Sequence, residues 1–140
     1  MPTAFCGRCT YYELLDRVRH QGDWEGWLDF FLEGVEQTAQ SVVQTARRLV
    51  DLFEEDTSRV RQTGRAAVNA LRVLAVLRQR PVLTLKYLGE HHGLTFPTAT
   101  KAIQSLCKAG IVRELTGRRR NRVFAYDGYL AILSEGGKPL

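Results

Sequence analysis

The sequence holds few of the features that mark a membrane protein, a secreted scaffold or an enzyme. No apolar run in its 140 residues reaches the roughly 20 that a spanning helix needs. The first residues lack the basic and then apolar succession of a secretion signal. Both absences point to a cytoplasmic chain with no membrane partner. Cysteine is scarce: Cys6, Cys9 and Cys107 cannot all pair and are too few for a disulfide framework, so reduced thiols are expected.

Catalytic and metal constellations are missing as well. Cys6-Gly7-Arg8-Cys9 has the spacing of a redox motif or of half a zinc site. No strand–helix alternation surrounds it, however, and no second cysteine pair completes four ligands. It reads as two thiols in a disordered tail over residues 1–9. His91 and His92 are adjacent, and neighbours in sequence diverge on a helix. They read as helix-end residues that complement the dipole, not as metal ligands. No Ser/His/Asp or Cys/His combination has supporting context, and no glycine loop of phosphate-cradling form is present. The sequence therefore assigns no catalytic residue, no metal and no cofactor.

What the chain does have is the balance of an ordinary folded protein, with 44% hydrophobic and 25% charged residues. Its net charge of +5 conceals two halves of opposite sign. Residues 1–63 hold seven arginines against eleven acids, a balance of −4, while residues 64–140 hold thirteen Lys and Arg against four acids, a balance of +9. A basic second half suits a polyanion such as nucleic acid, and an acidic first half is better placed away from one.

The first half reads as helical over residues 10–63. Thr10 is placed to cap a helix over Tyr11 to His20, and Asp23 to cap the next. From Trp24 the apolar positions recur every three or four residues through Trp27, Leu28, Phe31, Leu32, Val35, Ala39, Val42, Val43, Ala46, Val50 and Phe53, ending near Glu54-Glu55-Asp56. Gly34 leaves open a kink or a break inside this stripe. So long an apolar face needs cover. Two readings stand: a partner surface, a homodimer through these helices included, or a hairpin covered by residues 11–20. Trp24, Trp27, Phe30 and Phe31 follow the stripe and read as packing residues.

Beyond Gly64 the units shorten. Residues 65–79 present Ala67, Ala70, Leu71, Leu74 and Leu77 on one face and stop at Pro81. Thr84 caps a short helix from Leu85 to His91, Gly93 ends it, and Leu94 returns to the core. Thr95 caps a third helix with Pro97 in its first turn; Ala99, Ala102, Ile103 and Leu106 face inward up to the Gly110 stop. Ile111 to Thr116 and Arg122 to Tyr126 then read as strands joined by Gly117-Arg118-Arg119-Arg120-Asn121. Asp127 caps a last helix, with Tyr129, Leu130 and Leu133 turned to the domain. The expected fold is mainly α: an N-terminal helical segment followed, over 64–140, by a winged helix-turn-helix of three helices and a β-hairpin wing.

That order has the parts of a DNA reader. With its apolar residues inward, the third helix leaves Phe96, Thr98, Thr100, Lys101 and Gln104 facing out, with Lys108 further along. Small polar and basic side chains of this kind reach base edges in the major groove without blocking close approach. The hairpin adds Arg118, Arg119, Arg120 and Arg122, four charges within five residues with few acids nearby, which suit phosphates or a minor groove. Thr98, Thr100, Lys101, Gln104, Lys108 and these four arginines are the candidate contacts to double-stranded DNA.

These same blocks carry a resemblance. Tyr11-Tyr12-Glu13-Leu14-Leu15, Gly22-Asp23-Trp24-Glu25-Gly26-Trp27, Phe30-Phe31-Leu32-Glu33-Gly34, Ala46-Arg47-Arg48-Leu49, and Thr116-Gly117-Arg118-Arg119-Arg120 through Tyr126-Asp127 to Leu130 resemble the C-terminal part of a Fic (filamentation induced by cAMP) family protein. Residues 1–9 lie outside it. The resemblance implies helices that close the end of a Fic core, followed by a winged helix. It implies a Fic core as partner for the uncovered stripe, and a truncated gene product or excised fragment. Fic proteins transfer AMP from ATP through a loop of the form His-Pro-Phe-x-(Asp/Glu)-Gly-Asn-Gly-Arg. None of the three histidines here precedes a proline, so no catalytic residue is carried over. The expected function is a transcription-regulator-like DNA-binding module of a Fic-family protein without the catalytic loop. The alternative is a protein-interaction or dimerisation module of a Fic-type AMP-transferase.

Overall fold

The computed structural model describes residues 7–136, which form a mainly helical chain with one small antiparallel sheet. They divide into two compact units, one reaching residue 44 and the other spanning 45–136. No helix among the described residues is long and apolar enough to cross a membrane.

The first unit holds helix α1 (Gly7–Gln21) and the start of α2 (Trp24–Arg61). Helix α1 begins before Thr10, so Cys9 lies in helix where a disordered tail was expected; Cys6 lies outside the described residues. Gly22, at φ +68°, ends α1, and Asp23 Oδ1 accepts a hydrogen bond from the Gly26 amide at 3.1 Å, the cap that the sequence places there. Helix α2 then runs 38 residues without a break. Gly34 lies inside it and does not interrupt it. Along this helix Leu28, Phe31, Leu32, Val35, Val42, Val43 and Val50 all remain exposed.

The acidic stretch at Glu54-Glu55-Asp56 does not end α2, which continues to Arg61. The reason is that Asp56 and Val60 extend the stripe one helical turn at a time beyond Phe53, and both are buried. Asp56 is accommodated because the Tyr126 hydroxyl donates to its Oδ2 at 2.6 Å. Arg78 secures the same end of α2: its guanidinium donates to the Phe53 carbonyl at 3.0 Å and to the Thr57 hydroxyl, and lies 5.0 Å above the Phe53 ring.

In the second unit, a short 3₁₀ turn over Gly64–Ala66 leads into α3 (Ala67–Gln79). Its buried face is Ala67, Ala70, Val73, Leu74 and Leu77, with Leu71 half-buried. After Pro81 comes a strand with no counterpart in the sequence reading, β1 (Val82–Thr84). Helix α4 (Leu85–His92) begins with Thr84 Oγ1 accepting from the Tyr87 amide at 3.2 Å. It ends at Gly93, whose φ of +63° is a left-handed conformation that a side chain disfavours. Leu94 is buried and leads to α5 (Phe96–Lys108). Thr95 holds the first-cap position, but its hydroxyl bonds the Thr98 hydroxyl at 2.8 Å instead of a backbone amide. Ala99, Ala102, Ile103 and Leu106 form the buried face, as their spacing requires.

The sheet has the order β1-β3-β2, with β2 at Val112–Glu114 and β3 at Val123–Tyr126. Both hairpin strands are shorter than the sequence suggests. Val82 pairs Ala125 on one edge of β3, and Arg113 pairs Ala125 on the other. Helix α6 (Asp127–Gly136) closes the unit. It buries Ile132, whereas Leu133, expected inside, is exposed. The core joins α3, α4, α5 and the sheet to the last turns of α2 through Leu74, Leu77, Leu88, Ile103, Leu106, Tyr126 and Val60.

Candidate nucleic-acid interface

The candidate contacts all fall in the second unit, on α5 and on the loop between β2 and β3. Burying one face of α5 leaves the other to carry its polar residues, and Lys101, Gln104 and Lys108 are exposed there. Thr98 and Thr100 are only half-exposed and their hydroxyls are engaged: Thr98 with Thr95, and Thr100 donating to the Phe96 carbonyl at 2.7 Å. Both hydroxyls retain acceptor capacity.

The hairpin tip is held by local geometry. The Leu115 amide donates to the Val123 carbonyl at 2.8 Å, and the Val123 amide donates to Thr116 Oγ1 at 3.2 Å. Gly117 and Asn121 take left-handed backbone angles of +58° and +52° and turn the chain. Arg118, Arg119 and Arg120 between them are exposed.

Arg122 differs from its three neighbours. Its guanidinium grips Glu114 with two hydrogen bonds, Nε to Oε1 at 2.9 Å and Nη2 to Oε2 at 2.5 Å, and lies 5.3 Å above the Phe124 ring. The bidentate bond holds the Glu114 carboxyl below its ordinary pKa and raises that of Arg122. An acid therefore answers one of the four charges, and the other three arginines are exposed at the tip. Arg113 is likewise paired, with Asp127 at 3.0 Å.

Between α5 and the hairpin lie two adjoining recesses that share Leu85, Thr100 and Arg122. The larger, about 660 Å³, has Ile103, Cys107, Val112 and Phe124 at its apolar base, with Gln104, Lys108 and the Glu114–Arg122 pair around them. The smaller, about 530 Å³, is bordered by Lys86, Phe96, Arg119, Arg120 and Asn121. Thr100 and Arg122 thus line both recesses, Gln104 and Lys108 only the larger, and Arg119 and Arg120 only the smaller. Thr98, Lys101 and Arg118 line neither. Lys86 and Asn121 line the smaller, although the sequence reading missed them. The signal for Lys86 was its place on the polar side of a short capped helix.

Cys107 is a free thiol at the base of the larger recess; burial pushes its pKa up against the pull of Arg122, so it stays protonated at neutral pH. His91 stacks on Tyr87 with ring centres 4.3 Å apart, and Arg80 lies 4.5 Å over the same ring. Among the described residues, no three His, Cys, Asp or Glu side chains gather as a metal site would require. No protein-family model matches the chain.

Proposed function

We propose that residues 64–140 act as a winged helix-turn-helix that binds double-stranded DNA, with α4 and α5 as the helix pair and the β2–β3 hairpin as the wing. One observation carries this reading: the recess bordered by the exposed Arg119 and Arg120 adjoins, through Thr100 of α5 and Arg122, the recess bordered by Gln104 and Lys108 of the same helix. An α-helix fits the major groove, and flanking cations positioned on phosphates fix its register. In this arrangement Lys101 and Gln104 meet base edges, while Arg118, Arg119, Arg120, Lys108 and Lys86 meet phosphate. Arg122 braces the hairpin through Glu114. The test is duplex binding by the full chain across a salt series. Affinity is expected to fall linearly in log–log form as counterions are released; affinity indifferent to salt overturns the reading.

A second reading, association with another protein chain, is favoured by the exposed stripe of α2, where Val42 is 62% and Leu32 61% accessible. The resemblance to the end of a Fic core gives such a stripe a natural cover, and a homodimer is the alternative cover. Sedimentation equilibrium separates these, since a strict monomer at high concentration removes the homodimer.

A further inference from the structure

Phe96 is the most exposed large apolar side chain among the described residues, at 69%. It contributes nothing to the core that Ala99, Ala102, Ile103 and Leu106 build from the same helix. It occupies the first turn of α5, and Lys86 from α4, with Arg119, Arg120 and Asn121 from the hairpin, border the same recess of about 530 Å³, beside the apolar Leu85. A phenyl ring held in water at the mouth of a cationic cleft is placed to meet an apolar group carried by a polyanion. On duplex DNA the major-groove edges offer one such group, the C5-methyl of thymine. Residues at the N-terminal end of a groove-reading helix are also the ones that approach base edges.

Resting on the DNA-binding reading above, we infer that Phe96 is a specificity-determining residue that selects thymine at one position of the site through its methyl group. The backbone carbonyl of Phe96 accepts from Thr100 Oγ1 at 2.7 Å, which fixes the first turn from which the ring projects. Lys86, Arg119 and Arg120, which border the same recess, supply the charge that draws phosphate close to the ring.

The test begins with a site selected from random duplexes using the full chain. Each thymine is then replaced singly by deoxyuridine, which removes the methyl and leaves every hydrogen-bonding group. Wild-type protein is expected to lose about fourfold in affinity at one position, the worth of one buried methyl. Phe96→Ala is expected to bind thymine and deoxyuridine duplexes alike at that position, with the salt dependence of wild type; Phe96→Leu retains part of the discrimination. The side chain is exposed, so neither substitution threatens the fold. The inference is overturned if no deoxyuridine position weakens wild-type binding, if Phe96→Ala keeps the penalty, or if Phe96→Ala weakens both duplexes equally, as a wedge between bases would. In each of these cases salt-dependent duplex binding persists and the broader reading stands; loss of that binding altogether overturns both.

Discussion

The hydroxyl of Tyr126, at the end of β3, donates to the Asp56 carboxyl of α2 across 2.6 Å, and both side chains are buried. The bond joins the long helix to the sheet in the middle of the second unit. Removing the hydroxyl leaves Asp56 Oδ2 without its donor in a dry site, with Arg59 Nη1 still 3.7 Å from Oδ1, and the unmet oxygen costs about 1–3 kcal/mol. Tyr126→Phe is therefore expected to lower the stability of the chain by that amount in urea titration, although it adds no cavity.

The same pair sets a limit at high pH. Burial, reinforced by the bond to Asp56, raises the Tyr126 pKa far above its ordinary value of about 10. The folded state thus keeps a proton that the unfolded chain releases. The stabilisation is complete below the unfolded pKa and declines by about 1.4 kcal/mol per pH unit above it. Urea midpoints measured between pH 9 and 11 should fall in wild type, and Tyr126→Phe should show a shallower fall.

Gly34 sits in the unbroken interior of α2, where an added Cβ meets nothing within 4 Å. Alanine there gains helix propensity of about 1 kcal/mol with no clash. Gly34→Ala should raise the thermal midpoint and the helical circular dichroism signal. A drop in either would mean that the glycine serves a bend.

Glu114 restrains Arg122, and the pair is half-buried. Glu114→Gln removes one negative charge from the edge of the cleft and weakens the grip on the guanidinium. Tighter binding to non-specific duplex DNA is expected, with a salt slope no smaller than wild type and larger by up to about one phosphate contact. Weaker binding with a smaller slope would show instead that the pair is needed to hold the hairpin in place.

Much of the second unit was legible because its helices obey one period. Ala99, Ala102, Ile103 and Leu106 are buried as their spacing requires, and Thr84 and Gly93 bracket α4. What escaped was set by contacts distant in sequence. The strand β1 has three residues, too few to display an alternation, and exists because Val82 to Thr84 find β3. Asp56 reads as the polar end of a stripe until Tyr126, 70 positions further on, supplies its partner. The pairing of Arg122 follows from strand register, which sets Glu114 opposite Phe124, and register is not visible in the run of arginines.

The central claim is that the exposed cations beside α5 meet DNA phosphates, and one comparison tests it most directly. Wild type and the Arg118→Ala, Arg119→Ala, Arg120→Ala triple variant are titrated with duplex DNA between about 50 and 200 mM salt. These three side chains are exposed, so the fold should survive their loss. The log–log slope is expected to fall by about 0.9 for each phosphate contact removed, up to about 2.7 in all. An unchanged slope and affinity would contradict the account.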